Sequence, residues 1–105
     1  MTVDDRAPRK SPSTCETLAD ARLAIDALDG EIIDLFAERL AYIRHVVGIK
    51  RAAGLPAAIP ERVAEVVGNA RRNAEQRGLD PELFGPFWEK LVDAAIAEEE
   101  RLLGG

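Results

Sequence analysis

Cysteine is almost missing from this 105-residue chain. Cys15 stands alone, so no internal disulfide can form, which suits a reducing cytoplasm. Histidine is equally scarce: one His and one Cys give no cluster of metal ligands, and neither a metal nor a cofactor is expected. Three Phe, one Tyr and one Trp are too few to build a core, which must come from Leu, Ile, Val and Ala. No apolar run approaches the roughly 20 residues that a membrane span needs, so no membrane association is expected. The opening MTVDDRAPRKSPS lacks an apolar stretch, so no signal peptide is expected either. Sustained two-residue alternation is absent, which argues against a sheet. Positive charge is also short. Fourteen Lys and Arg against nineteen Asp and Glu leave a net charge of −5, which speaks against nucleic acid as a partner. A small anion held by a few buried cations remains compatible with that balance.

With 47% hydrophobic and 31% charged residues, the chain reads as one globular domain. Residues 1–13, with two prolines and many charges, read as a disordered arm, and residues 14–105 as the folded domain. Ser13 or Thr14 is the expected cap of a first helix, and no proline interrupts that helix before Pro56. Its apolar series Leu18, Ala21, Ile25, Leu28, Ile32, Leu35, Arg39, Tyr42, Val46, Ile49 steps by four and three, a heptad-like seam. "AAGLPAAIP" is a loop, and Pro60 suits the first turn of a second helix that Gly78 ends. Val63, Val66, Val67, Ala70 and Ala74 form the second helix's stripe. Asp80-Pro81 opens a third helix, running to about Leu103 and burying Phe84, Phe87, Trp88, Leu91, Val92, Ala95 and Ile96. The fold class is all-α, with three helices per chain. The first is about 54 Å long, roughly twice the width of a domain of this size. Two short helices cannot cover that seam. The expected solution is an intertwined homodimer in which the long helices pair. The alternative is a kink at Gly30 or Gly48 that folds the chain into a monomeric bundle.

The seam contains an oddity, because Arg39 occupies an apolar position. Lys50 follows eleven residues later, about 20° round the helix beyond whole turns and about 16 Å along it. Both side chains are long enough to converge on a small dianion. The plainer alternative is that Arg39 snorkels or pairs with a carboxylate across the dimer. Arg22 lies about 25 Å before Arg39 and about 100° round, so it cannot join the pair within one straight helix. In an antiparallel dimer it can meet the partner's pair; otherwise it is a surface arginine ion-paired with Asp26. Arg62, after "IP", reads by itself as solvated. In "AEEERLL", Glu99 continues the apolar stripe of Leu91 and Ala95, while Glu98 and Glu100 flank it and face water. A carboxyl group on a buried stripe either pairs with an arginine or keeps its proton. His45 is assigned to solvent.

The ordered set of these segments resembles the all-helical chorismate mutases, especially the branch that includes the isochorismate pyruvate lyases. The resemblance rests on "LADARLAIDALDGEIIDLFAERLAYIRHVVGIK", with its LxxxRxxIDxLD opening and its LxxER segment. "IPERV" at the second helix and "RGLDPELF" before the third match too, so it extends from about Cys15 to Leu102.

That likeness implies an intertwined helical dimer with two active sites, each taking one arginine from the partner's long helix. Carried over, that residue is Arg22. Arg39 and Lys50 become site residues of the same chain, and Arg62 matches an arginine beside the site. Glu99 falls where the family usually has Gln, whose amide contacts the ether oxygen of the substrate's enolpyruvyl group. Ile59 stands where some mutases have an acidic residue for the ring hydroxyl, and Ala95 where some have serine, so ring recognition reads as more apolar here. The implied activity is the pericyclic rearrangement of chorismate to prephenate, which requires no nucleophile, metal or cofactor. The same site type also serves pyruvate elimination from isochorismate to give salicylate, and rearrangement of 4-amino-4-deoxychorismate. An inactive helical dimer that regulates a partner enzyme is the reading from another class.

Overall fold

The computed structural model describes residues 9–104. Three α-helices follow a short 3-10 turn at Pro12–Thr14: α1 at Leu18–Ala53, α2 at Pro60–Gln76 and α3 at Pro81–Gly104. No strand occurs among the described residues, so the all-α class stands. The chain divides into two compact units, residues 1–39 and 40–105, with the boundary inside α1.

The first unit holds the 3-10 turn and the front of α1. Most of the expected arm, residues 1–8, lies outside the described residues. Ser13 and Thr14 do not cap α1, because Pro12 folds them into the 3-10 turn, where Thr14 N–H donates to the Ser11 carbonyl at 3.0 Å. Thr17 takes the capping role instead. Its hydroxyl accepts the Asp20 N–H at 3.0 Å, satisfying one of the donors that every helix start leaves unpaired. Asp20 in turn accepts the Glu16 N–H at 3.2 Å and Lys10 Nζ at 3.1 Å. The Lys10 bond, then the Glu16 amide, holds the Asp20 carboxyl below the usual range. Arg9 pairs with Glu31.

The second unit contains the end of α1 together with α2 and α3. Pro60 sits at the first position of α2, where its missing N–H costs nothing, and Ile59 before it is extended at φ −117° and ψ 102°. Gly78 reverses the chain at φ +72°, and the Leu79 N–H returns to the Ala74 carbonyl at 2.8 Å. Asp80 caps α3 by accepting the Glu82 N–H at 2.9 Å, ahead of Pro81. Arg71 of α2 pairs with Glu82 of α3 at 2.7 Å. The core is small and rich in alanine: Val47, Ala57, Ala70, Ala74, Val92 and Ala95 are the buried apolar residues among those described. Phe84, Trp88, Leu91 and Ile96 are half-buried, whereas Phe87, expected inside, is exposed.

The seam of α1 divides differently from the sequence reading. Within the second unit the covered face is Leu40, Ile43, Val47 and Lys50, and Tyr42, Val46 and Ile49 are exposed. The two series are offset by one residue, about 100° of helix rotation. In the first unit Leu18, Leu23, Ile25, Leu28, Ile32, Ile33 and Leu35 are all exposed, Leu23 to 75%. None of the described helices is long and apolar enough to cross a membrane.

Candidate active site

The last turns of α1 and α3 are joined by polar contacts in the second unit. Arg44 Nε donates to Glu98 Oε2 at 2.9 Å, Lys50 Nζ to Glu99 Oε1 at 2.8 Å, and Arg51 Nη2 to the Leu102 carbonyl at 2.7 Å. Arg101 Nε adds a second bond to Glu98 at 2.7 Å. Helix geometry dictates this order. Arg44 and Arg51, seven residues apart, fall along one side of α1 with Lys50 about 100° round from Arg51, and Glu98 and Leu102 along one side of α3 with Glu99 about 100° round from Glu98.

Lys50 and Glu99 form the covered member of the group. Glu99 is 6% exposed, and its carboxylate lies on the same buried face as Ala95, one turn earlier. Lys50 has a second acceptor, the carbonyl of Ala57, at 2.7 Å. The partner of Glu99 is thus a lysine, where the sequence suggested an arginine. A carboxylate buried this far is tolerable only because a cation compensates it, and removal of either member would leave an isolated charge at a cost of about 3–5 kcal/mol.

Glu98 does not face water as expected. It bridges Arg44 and Arg101, and those guanidinium groups, Arg101 first, hold its carboxyl down at about 2. Arg101 is correspondingly raised by Glu98. The i,i+3 spacing of Glu98 and Arg101 was visible in the sequence, but the contact with Arg44 depends on how α1 meets α3. The Ala57 carbonyl is a site group that side-chain reasoning misses altogether, because the backbone leaves no trace in residue identity.

The other sequence-derived candidates are placed as follows. Ala95 is buried, and Ile59 is half-buried at the head of α2, where its carbonyl accepts the Arg62 and Val63 N–H groups at 2.9 and 3.0 Å. Arg62 is exposed and pairs with Glu65. Arg22 and Arg39 belong to the first unit. Arg22 is exposed and does not form the expected ion pair with Asp26, and Arg39 is half-buried. Neither makes an ion pair or side-chain hydrogen bond among the described residues. A half-buried guanidinium without a counter-charge is costly unless an anion arrives from elsewhere. His45 is exposed, as assigned. Among the described residues no three His, Cys, Asp or Glu side chains gather as a metal site.

Chemically, the second unit offers an ammonium held by two acceptors. The first offers two guanidinium groups with no ion pair among the described residues.

The family model described as chorismate mutase type II matches residues 21–100. The chain is 35% identical over 91 residues to the isochorismate pyruvate lyase of Pseudomonas aeruginosa, covering 86% of this chain and 88% of that protein. It is 28% identical over 88 residues to the chorismate mutase of Methanocaldococcus jannaschii, covering 84% of this chain and 89% of that one. It is also 35% identical over 89 residues to the T-protein of Haemophilus influenzae. That match takes in 85% of this chain but only 24% of the T-protein, so the chain spans about a quarter of that relative's length.

Proposed function

The chain belongs to the chorismate mutase type II family, and from that premise we propose that it rearranges chorismate to prephenate. The observation that carries the proposal is the extent of the family match. Residues 21–100 include every side chain named for the site: Arg22, Arg39, Lys50, Ile59, Arg62, Ala95 and Glu99.

In this reading Arg39 and Lys50 bind the carboxylates of a dianionic substrate and hold it in the compact conformer that the concerted shift requires. As the C–O bond breaks, the enolpyruvyl oxygen gains negative charge. Lys50 donates to it from one side. Glu99 donates from the other when it carries a proton and repels that oxygen when ionised, so its protonation state sets the rate. Each such donor contributes roughly 10²–10³-fold. Arg62 lies beside the substrate, and Ile59 and Ala95 form an apolar wall for the ring. Cys15 and the absence of a membrane-spanning helix among the described residues suit a cytoplasmic enzyme.

The working unit is a homodimer in which the partner's Arg22 completes each site. The exposed apolar face of α1 supports this arrangement. Burial of each large side chain on it contributes about 1.5–3 kcal/mol, and a second copy presents a matching face.

A second reading has its own support, the 35% identity to an isochorismate pyruvate lyase over most of both chains. There the same site eliminates pyruvate from isochorismate to leave salicylate. Assay with chorismate, isochorismate and 4-amino-4-deoxychorismate, followed by product identification, separates the readings. Prephenate from chorismate supports the mutase. Salicylate and pyruvate from isochorismate, with chorismate untouched, support the lyase. Turnover of none favours a regulatory dimer.

A further inference from the structure

The connection between α1 and α2 holds Lys50 at both of its ends. The Lys50 carbonyl accepts the Leu55 N–H at 2.8 Å, and the Lys50 ammonium donates to the Ala57 carbonyl at 2.7 Å. Between these contacts lies Gly54 at φ +69°, a left-handed conformation that turns the chain back toward the helix it has just left. A Cβ at Gly54 would meet nothing within 4 Å, so glycine is required there by the backbone angle and not by space. Ala57 is itself buried, although it sits in a loop bounded by exposed Pro56 and Ala58.

An ammonium group has three donors. In the free protein two of them are taken, one by Glu99 Oε1 and one by the Ala57 carbonyl. Two fixed acceptors at a tetrahedral nitrogen define where the third N–H points. Lysine's four-carbon stem is otherwise free to rotate, and fixing it in advance removes an entropic cost from substrate binding and from the transition state. Glu99 has a second task at the substrate in the proposed reaction, whereas the Ala57 carbonyl has none and can stay with Lys50 throughout.

We propose that the Ala57 carbonyl, aimed by the left-handed turn at Gly54, is a positioning group that fixes the Lys50 ammonium so that its remaining N–H meets the developing negative charge of the substrate. This rests on the reaction proposed above. It also makes a statement about the free protein that does not depend on that reaction.

The test weakens that one carbonyl without changing any side chain. Replacing Ala58 by its α-hydroxy acid turns the 57–58 amide into an ester, whose carbonyl is a poorer acceptor. The readouts are the 15N–1H signal of the Lys50 ammonium and the steady-state constants on whichever of the three substrates the wild type turns over. The chain has three lysines, Lys10, Lys50 and Lys90, and Lys50→Arg assigns the signal. We expect the free wild type to show a Lys50 ammonium signal protected from water exchange. The ester protein should lose that protection, and its kcat should fall roughly fivefold, the effect of one net hydrogen bond, with KM changed less. Gly54→Ala should reproduce the kcat effect, and Gly54→Asn, which tolerates the left-handed angle, should recover most of it. A protected signal in the ester protein, or an unchanged kcat, overturns the proposal. A wild type that turns over none of the substrates overturns the functional reading instead, and the ammonium spectrum then decides the positioning on its own.

Discussion

The two units of this chain handle charge and apolar surface in opposite ways. In residues 40–105 the apolar residues find a small core, and Arg44, Lys50 and Arg51 at the end of α1 each reach a defined oxygen. In the first unit, α1 leaves Leu23, Ile25, Ile33 and Leu35 in the open, and Arg22 and Arg39 lack any ion pair among the described residues. In the first unit α1 still pairs Asp20 with Lys10 and Glu31 with Arg9, so the difference lies in its two arginines and its apolar face. Its local signals make it a helix throughout, but they do not supply a partner for its face. The comparison teaches that α1 carries more apolar surface in residues 18–39 than its own unit covers; in the function proposed above, a second copy would cover that surface and an anion would meet the arginines.

The strongest way to break the comparison is to charge the open face. Leu28→Asp places two carboxylates in the symmetric seam of the proposed dimer, each costing about 3–5 kcal/mol when desolvated without a partner. Sedimentation should show the dimer lost at micromolar concentration, and turnover should vanish with it. A variant that stays dimeric and active would mean that this face is not the interface.

The unpaired arginines give the next effect. Arg22→Ala and Arg39→Ala should each lower kcat/KM by about 10²–10³-fold while moving the thermal midpoint little, because neither removes an ion pair or side-chain hydrogen bond among the described residues. Mixing the two variants under subunit exchange should restore part of the activity, since a heterodimer carries one site with both defects and one with neither. With exchange verified, no recovery would show that Arg22 does not act across the interface.

Much of this was legible in the residues themselves. Pro60, Gly78 and the Asp80-Pro81 pair located the boundaries of α2 and α3 because they act through local backbone geometry. Glu99 was legible because a carboxyl on an apolar stripe demands compensation. What failed depended on tertiary placement. Thr17 displaced Ser13 and Thr14 as the cap once Pro12 had drawn them into a 3-10 turn. Val47, one position round from the expected Val46, is buried because the second unit covers a neighbouring face of the helix. Glu98 found Arg44 through the meeting of two helices, fifty-four residues apart in sequence.

Glu99→Gln tests the paired end with a smaller change. Glutamine is a neutral donor at every pH, whereas glutamate donates to the ether oxygen only when protonated. The variant should therefore keep its turnover, with activity at neutral pH equal to wild type or up to about tenfold higher. A folded but inactive variant would remove Glu99 as a donor. It would then serve only as the counter-ion of Lys50.

The smallest effect belongs to Glu98, and it sharpens the contrast from the satisfied side. Its carboxyl is lowered from an ordinary value of 4.5 to about 2 by Arg101 and Arg44. A group whose folded value lies below its unfolded one binds its proton more readily in the unfolded chain. Its contribution to stability is therefore complete above about 4.5 and disappears as pH falls toward about 2. Arg44 and Arg101 keep more than half of their side-chain surface in water, so screening holds the contribution small, and added salt should reduce it further. Glu98→Gln should lower the urea midpoint slightly at pH near 6, and the gap to wild type should narrow steadily as pH approaches about 3. A gap that is independent of pH would assign the effect to packing and not to charge, and a gap that widens in acid would reverse the sign of the linkage. No comparable acid-sensitive difference is expected from Arg22 or Arg39, which have no carboxylate partner among the described residues to protonate. If their removal did produce one, the two ends of α1 would not differ in the way proposed.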